Sequence, residues 1–316
     1  MKNNSTYFDS LTWNCSSMQL YFVHIPRDYH YKNILQGFIL INALVAVLAI
    51  CCNLIVIYTI SRTPSLQKPS YFLILGLAVS DFGVGLLSQP TYAVNKFAEL
   101  TGRVTVFCIT GKVFSSTAII FTVISFFTLS AITSDRFLAV QLHLRYQEVV
   151  TTKRCFAVIA LIWISGLLIS LGRMLALGLP FLITVIIIFI SLLLLNAFFL
   201  GKIYQVIRRH SVQIRAQQHS AQQAFDMRKF RKTINTVDFI ILAFLLCYVP
   251  YAGALIILVV RQQRTEGIRL LLTVTESFVM FNGVLNPIIY CLRIQEIRNI
   301  VRRFYGKFSE QQNLEQ

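Results

Sequence analysis

Two adjacent charged residues end one of the apolar runs of the sequence. The stretch "TLSAITSDRFLAVQLHLRY", from Thr128 to Tyr146, passes directly from apolar residues to Asp135 and Arg136. A charge at the centre of a bilayer costs roughly 3 kcal/mol, so if the run crosses a membrane the pair lies where hydrocarbon meets water. The position of the pair is therefore a clue to its role.

A second group of polar residues lies inside the apolar runs. It contains one carboxylate and several neutral oxygen donors: Asn53, Asp81, Ser125, Asn282 and Asn286. One carboxylate among neutral oxygens suits a small hard cation such as sodium, but a hydrogen-bonded network without an ion would satisfy the same groups. The sequence therefore leaves both readings open. The predicted sodium ligands are Asp81, Ser125, Asn282 and Asn286.

The other reactive side chains do not indicate catalysis. An enzyme needs a nucleophile with its base or a cluster of metal ligands, and none of the five histidines lies well inside an apolar run. They are His24, His30, His143, His210 and His219. We therefore expect no enzymatic activity, no catalytic residues, no metal site other than that for sodium, and no organic cofactor.

The elements that must position these residues are membrane spans. The chain is 56% hydrophobic and 13% charged, with a mean hydropathy of +0.65, whereas about a quarter of the residues in soluble domains are charged. Seven apolar runs reach the ~20 residues that a helix needs to cross a bilayer. They are Ile34–Ile60, Ser70–Val94, Cys108–Val140, Cys155–Met174, Leu177–Ile207, Thr233–Val260 and Leu270–Leu292. The sequence predicts an all-α membrane protein built as a seven-transmembrane helix bundle.

The basic residues predict the orientation of this bundle. Loops after the odd-numbered runs, together with the C-terminal segment, carry about twice as many Lys and Arg residues as the other loops, and such loops face the cytoplasm. This places the N-terminus outside the cell, in a multi-pass protein of the plasma membrane. The net charge of +16 then faces anionic membrane lipids and acidic partners. No nucleic-acid motif is found, so nucleic acid is not an expected partner.

The N-terminal segment carries predicted modifications. Asn3, Asn4 and Asn14 begin N-glycosylation triplets, which agree with an extracellular N-terminus. Of the seven cysteines, only Cys15 and Cys108 reach the oxidising side of the membrane, where disulfides form. We predict that these two pair, and two free thiols are the alternative.

Short motifs on successive runs resemble those of the rhodopsin-like (class A) G protein-coupled receptors. "LAVSD" is similar to the family's LAxxD, "DRFLAVQLHLRY" to DRYLAIxxPLRY, "CYVP" to CWxP and "NPIIY" to NPxxY. Asn53 and Trp163 stand at the family's first-span asparagine and fourth-span tryptophan. The resemblance covers the chain from about Ile34 to Phe304. It implies a receptor that transmits an extracellular ligand signal to a heterotrimeric G protein.

The resemblance also implies a mechanism for the charged pair. Asp135 holds Arg136 in the resting state, and activation frees Arg136 as the sixth helix swings outward about the Pro250 kink. Physically, ligand contacts bias a bistable helix packing. The residues implied in coupling and activation are Asp135, Arg136, Phe137, Tyr248, Pro250, Asn286, Pro287 and Tyr290. The alternative is a ligand-independent, constitutively active or scaffold-like seven-helix receptor.

Departures from the family pattern modify this expectation. "MRKFRK", from Met227 to Lys232, carries no acid at the base of the sixth helix. The clasp that holds many relatives at rest is therefore missing, and we expect appreciable signalling without ligand. Tyr248 replaces the usual tryptophan, and the fifth span lacks its mid-helix proline, so weak or unusual coupling is also compatible with the sequence.

A few positions narrow the ligand class. The very short connection around Leu175 to Gly178 is loosely similar to melanocortin, cannabinoid, lysophospholipid and adenosine receptors. Ala118 stands where amine receptors carry an aspartate, and no lysine for retinal lies between Leu270 and Tyr290. A peptide, a lipid or another small molecule is expected.

The predicted ligand pocket contains one notable carboxylate. Its residues are Lys112, Ala118, Thr122, Arg173, Tyr248 and Glu276. A buried carboxylate needs a partner, so Glu276 either meets a cationic ligand or pairs inside the protein. Internal partners considered are Lys112, Arg173 and Arg269.

The two ends of the chain complete the predicted organisation. Residues 1–33 form an extracellular segment, 34–292 the bundle, and 293–316 an amphipathic helix and cytoplasmic tail. In "RIQEIRNIVRRFYGKF" apolar and basic residues are spaced as in a helix that lies on the inner membrane surface. Cys291 beside it is either palmitoylated or a free thiol.

Overall fold

Seven helices in the described part of the chain are long and apolar enough to cross a membrane. The computed structural model describes residues 29–142, 145–174, 178–216, 221–261, 265–294, 297–300 and 302. The first to seventh spans lie in helical segments Tyr29–Arg62, Pro69–Thr101, Val104–Leu142, Thr152–Met174, Gly178–Ala216, Ala221–Arg261 and Glu266–Arg293. The predicted seven-span helical architecture is confirmed.

Several helices are longer than the apolar runs that predicted them. The second span continues to Thr101 instead of stopping at Val94, and the sixth helix begins at Ala221 instead of Thr233. The added turns of the second span carry Lys96 and Glu99, whose side chains are only 1% exposed. These charges find partners inside the protein, so the helix does not have to end where the apolar residues end.

The second span changes helix type near its middle. It is α-helical from Pro69 to Gly83, forms a π-helix from Val84 to Ser88, and is α-helical again from Gln89 to Thr101. Pro90 lies in the first turn of the last segment, where its missing N–H is tolerated. A wider turn just before a proline accommodates the ring without ending the span.

A close helix contact accompanies this change of helix type. A Cβ atom added at Gly83 would overlap the ring of Phe121. The third span therefore lies directly against the second at this position, and a larger residue there would require the ring to move.

The chain divides into two compact units, which are described separately below. The first unit comprises residues 1–51, 81–121 and 243–284. Its described apolar core includes Ala254, Leu258, Ile268 and Leu272, and a second cluster of Val45, Ala49 and Val284. The first cluster joins the sixth span to the seventh, and the second joins the first span to the seventh.

The second unit comprises residues 52–80, 122–242 and 285–316. Val140 of the third span packs against Ile203 of the fifth, and the rings of Phe126 and Phe189 lie 4.9 Å apart between the same two spans. Asn196 of the fifth span donates a 2.8 Å hydrogen bond to Ser130 of the third. Both members of that polar pair are buried, so the hydrogen bond joins two groups that are shielded from solvent.

The distribution of side chains is that of a membrane protein. Large apolar residues such as Leu44, Leu161, Leu194 and Leu246 are exposed, as expected where lipid tails are the solvent. Asn53 and Asp81, in contrast, are no more than 1% exposed. Polar groups at membrane depth are thus turned into the protein, where function is expected.

Candidate functional site

The pair at the end of the third span forms the contact that the resemblance implied. Arg136 Nη2 lies 3.3 Å from Asp135 Oδ2. The Asp135 side chain is 4% exposed and that of Arg136 is 21% exposed. The carboxylate is therefore fixed inside the second unit, whereas the guanidinium is the more accessible partner.

Two hydroxyl groups bind Asp135 more closely than Arg136 does. Tyr146 donates to Oδ1 over 2.6 Å, and Ser70 donates to Oδ2 over 2.9 Å. The two hydroxyl oxygens are themselves 3.1 Å apart. We name these four residues the Asp135 cluster: Ser70, Asp135, Arg136 and Tyr146.

The Tyr146 hydroxyl is held in its protonated form. Burial of the phenol, and then its hydrogen bond to Asp135, raise the pKa of Tyr146 to about 12. Near neutral pH the phenol therefore acts as a hydrogen-bond donor to a carboxylate, which is among the stronger types of hydrogen bond.

Neighbouring segments place Ser70 and Tyr146 at the carboxylate. Ser70 is the second residue of its helix, and the carbonyl of the preceding Pro69 accepts a 3.2 Å hydrogen bond from the Cys155 thiol. Tyr146 begins the short helix Tyr146–Val149. Arg154 donates 2.8 Å to the carbonyl of Val149 and so fixes the end of that helix, because terminal carbonyls need donors.

Phe137 follows the charged pair and packs between helices. Its ring stacks on Phe199 of the fifth span at 5.0 Å with an interplanar angle of 28°. It also contacts the cluster of Val140 and Ile203. Phe137 therefore belongs to the packing of the third span on the fifth.

The other residues implied in activation lie in the sixth and seventh spans. In the first unit, Tyr248 is buried and stacks on Phe244 at 3.9 Å, two residues before Pro250, which lies inside the helix. In the second unit, Asn286 and Tyr290 are buried on either side of Pro287, also inside its helix. Both prolines thus remove backbone hydrogen bonds within a span.

The four predicted sodium ligands are all buried. Asp81 lies in the first unit, where the seventh span approaches it closely: a Cβ added at Gly283 would be 3.7 Å from that of Asp81. In the described part of the chain, Oδ1 of Asn282 has no hydrogen-bond partner. In the second unit, Ser125 is 2.9 Å from Ser80. The sodium site remains a prediction.

A second charged cluster lies in the first unit. Lys96 Nζ is 3.1 Å from Glu276 Oε2, donates 2.9 Å to the hydroxyl of Thr273 and is 3.9 Å from Glu99 Oε2. The ammonium also lies 4.9 Å from the ring centroid of Tyr92, within the range of a cation–π contact. A lysine with 1% exposure is thereby fully satisfied.

Glu99 is equally well satisfied. Arg269 donates from Nη2 to Oε2 over 2.8 Å and from Nε to Oε1 over 3.2 Å, in the two-pronged geometry that favours arginine. Tyr31 donates to Oε1 over 2.8 Å. We name the four charged residues of this site, Lys96, Glu99, Arg269 and Glu276, the Lys96 cluster.

Helical spacing brings the Lys96 cluster together. Lys96 and Glu99 are three residues apart on the second span, and Thr273 and Glu276 are three apart on the seventh, so each pair lies on one helix face. Asn95 donates 2.7 Å to the carbonyl of Phe107 and ties the second span to the third.

The Lys96 cluster was missed by sequence reasoning, which ended the second span at Val94. The predicted internal pairing of Glu276 is found, but its partner is Lys96 and not one of the partners considered. The spacing of Tyr92, Lys96 and Glu99 on one helix face was the signal that could have revealed the site.

The remaining predicted pocket residues differ in their exposure. The side chain of Lys112 is exposed, and Ala118 and Thr122 are partly buried. The side chain of Arg173 lies outside the described residues. Their roles in ligand binding remain predictions.

Of the two cysteines in the predicted disulfide, only Cys108 lies among the described residues. Cys108 is disulfide-bonded and buried, whereas the other described cysteines form no disulfide; they are Cys51, Cys52, Cys155, Cys247 and Cys291. Cys15 and the glycosylation positions Asn3, Asn4 and Asn14 lie outside the described residues. The pairing of Cys15 with Cys108 therefore remains a prediction.

Comparison with known proteins places the chain in a family. The profile described as "7 transmembrane receptor (rhodopsin family)" matches residues 52–180 and 176–290. The chain is 32% identical to adenosine receptor A3 of Ovis aries over 137 residues, which cover 43% of this chain and 42% of that receptor. The match to adenosine receptor A3 of Bos taurus has the same extent and identity, so both matches span less than half of these receptors.

A longer match is found to G-protein coupled receptor 12 of Homo sapiens. It is 27% identical over 269 residues, which cover 78% of this chain and 75% of that receptor. Together with the family profile, which covers most of the chain, these matches confirm the predicted resemblance. The chain belongs to the rhodopsin family of seven-transmembrane receptors and is a multi-pass membrane protein.

Proposed function

We propose that this receptor lies in the plasma membrane with its N-terminus outside and activates heterotrimeric G proteins through the Asp135 cluster. The observation that carries the proposal is the geometry of that cluster. Asp135 holds Arg136 by one contact of 3.3 Å, while two shorter hydrogen bonds bind the carboxylate from elsewhere. Arg136 is the member that can leave.

The release of Arg136 is made easier by the two hydroxyl groups. Removing a partner from a buried charge is costly when nothing else satisfies that charge. Asp135 would retain its hydrogen bonds from Ser70 and Tyr146 after Arg136 moves away. The resting and active arrangements then differ by a small free energy, as a ligand-controlled switch requires.

The moving element in this proposal is the sixth span. Pro250 interrupts its hydrogen bonding, and an internal proline is a natural pivot. Outward motion of the cytoplasmic part of this helix would open the cavity that receives the G protein. This step is carried over from the family resemblance.

Nucleosides are the first ligand class to test. Two relatives of this chain are named adenosine receptors, and the sequence disfavours classical amines and retinal. Peptides and lipids are the classes to test next.

A bound sodium ion is proposed as an additional element of the resting state. In the first unit, Asp81 supplies one negative charge and Asn282 a neutral oxygen, a combination that suits a small hard cation. Both residues are buried. We expect sodium chloride to raise the unfolding temperature of the purified receptor more than choline chloride does, and Asp81→Asn to abolish this difference. An equal difference in the variant would contradict the site.

The experiment that tests the proposal compares Arg136→Ala with the wild type in cells. G protein dissociation would be recorded without ligand and then with nucleoside, peptide and lipid panels. We expect a ligand-free signal from the wild type, because the sixth helix lacks an acidic clasp, and its loss in Arg136→Ala.

Arg62→Ala is the matched control, because Arg62 is an exposed arginine at the end of the first span and lies outside the Asp135 cluster. It should signal like the wild type at equal surface expression. Equal signals from the wild type and Arg136→Ala, with or without ligand, would contradict the proposed mechanism.

A further inference from the structure

The Lys96 cluster carries no net charge. Lys96 and Arg269 contribute two positive charges, and Glu99 and Glu276 contribute two negative charges. Each acid lies within 4 Å of a base: Glu276 of Lys96 at 3.1 Å, and Glu99 of Arg269 at 2.8 Å. The cluster therefore needs no counter-ion from a ligand, in contrast to a carboxylate standing alone.

Glu276 is the acid of the cluster that keeps an accessible part. Its Oε2 is buried, but its side chain retains 14% exposure compared with 1% for Glu99. The ion pair with Lys96 uses Oε2. In the described part of the chain, Oε2 accepts no hydrogen bond beyond this ion pair, whereas both oxygens of Glu99 accept hydrogen bonds.

The exposed part of Glu276 faces the protein interior. Leu271, Phe278 and Phe281 are the exposed apolar residues nearest to it on the seventh span. At 3.6 residues per turn they lie on roughly the opposite side of the helix from Glu276. The partly exposed carboxylate thus lies on the helix face that is turned away from lipid.

We infer that the Glu276 carboxylate accepts a hydrogen bond from an uncharged ligand that carries a hydroxyl or amide N–H donor. The inference rests on the proposed receptor function and names the chemical class of its ligand. A cationic ligand at Glu276 would lie close to the ammonium group of Lys96, which is itself 3.1 Å from that carboxylate, and would give the site a net positive charge. An anionic ligand would lie against the negatively charged Glu276 carboxylate. Contacts between like charges are unfavourable in a buried site, so both kinds of ligand are disfavoured.

The test measures ligand-induced thermal stabilisation of the full-length receptor in membranes, which reports binding without a G protein. The probes are matched alcohol and amine pairs: tryptophol and tryptamine, tyrosol and tyramine, and adenosine with the analogue that carries an amine at its terminal ribose carbon. We expect the alcohols to stabilise the wild type. The amines should need at least about tenfold higher concentrations to give the same stabilisation.

Substitution of Lys96 should reverse this preference. Lys96→Gln leaves Glu276 without its internal cation, so the amines should gain about tenfold or more in apparent affinity. The double variant Lys96→Gln with Glu276→Gln keeps an amide oxygen but no net charge, and should again prefer the alcohols. It also provides a folding control, because it contains no unpaired acid. Lys153→Gln, which changes an exposed lysine, should leave the wild-type preference unchanged.

Two results would overturn the inference. One is a wild-type receptor that binds the amines as well as or better than the alcohols, and the other is a wild type that none of the alcohols stabilises. Failure of the proposed G protein coupling would be seen separately, as an absence of any difference between Arg136→Ala and the wild type while the thermal shifts persist.

Discussion

The Lys96 cluster and the Asp135 cluster satisfy buried charges in different ways. In the Lys96 cluster, Lys96 and Glu99 are almost completely buried and bound mainly by charged partners, so losing one charged partner leaves a buried charge that the remaining contacts do not fully neutralise. In the Asp135 cluster, neutral hydroxyls bind the carboxylate and the cation is partly exposed. The first arrangement suits an anchor between helices, and the second suits a switch.

This difference indicates which buried charges are able to move. An ion pair can open at low cost when its buried member has other hydrogen bonds and its mobile member can reach water. Asp135 and Arg136 meet both conditions. Lys96 and Glu99 fail the second condition, because both are 1% exposed and neither can reach water.

The largest effect is expected when an acid is removed from the Lys96 cluster. Glu99→Ala should lower the free energy of unfolding by about 3–5 kcal/mol, because it leaves Arg269 and Lys96 without their shared carboxylate. The unfolding temperature of the purified receptor measures the effect. Glu148→Ala removes an exposed acid and should change stability by no more than about 0.5 kcal/mol. Equal stabilities of the two variants would show that the Lys96 cluster is not an anchor.

A smaller effect is expected when the switch loses one hydroxyl. Tyr146→Phe removes one hydrogen bond to Asp135, worth about 1 kcal/mol, and so makes the release of Arg136 more costly. We expect roughly fivefold weaker ligand-free G protein activation at unchanged surface expression. Tyr58→Phe, at a tyrosine that is 54% exposed, is the matched control. Increased signalling from Tyr146→Phe would mean that Tyr146 holds the resting state instead.

The smallest effect is expected in the pH dependence of the unfolding temperature, which reports the protonation of Tyr146. The pKa of Tyr146 rises from an ordinary value of 10.0 to about 12 in the folded receptor. Its contribution to stability is therefore complete below pH 10.0 and is lost as the pH rises toward about 12. The unfolding temperature of the wild type should fall more steeply than that of Tyr146→Phe across this interval. Parallel curves would show that the phenol is not held protonated by its site.

The seven spans and the Asp135–Arg136 pair were predictable from the sequence, because both are local signals. Run length fixed the spans, and the two charged residues are adjacent in a motif. Ser70 and Tyr146 were not identified, because Ser70 lies 65 positions from Asp135 and no local pattern specifies that contact. In the sequence, Ser70 and Tyr146 are ordinary residues near helix ends, and only the fold brings their hydroxyl groups to Asp135.

The Lys96 cluster was missed for a different reason. Hydropathy places charged residues outside a span, because an isolated charge in hydrocarbon is expensive. Lys96 and Glu99 extend the second span because Glu276, Arg269 and Thr273 compensate them, and those partners lie about 170 to 180 positions further along the chain. Tertiary compensation of this kind is invisible to a window of about 20 residues.

The central claim is that the Asp135 cluster transmits the signal while the Lys96 cluster holds the helices together. The most direct measurement is guanine-nucleotide exchange on a G protein by the purified, reconstituted receptor, made in parallel with its unfolding temperature. We predict that Arg136→Ala loses exchange and keeps the wild-type unfolding temperature. Exchange at the wild-type rate by Arg136→Ala, in a receptor of unchanged stability, would contradict the claim.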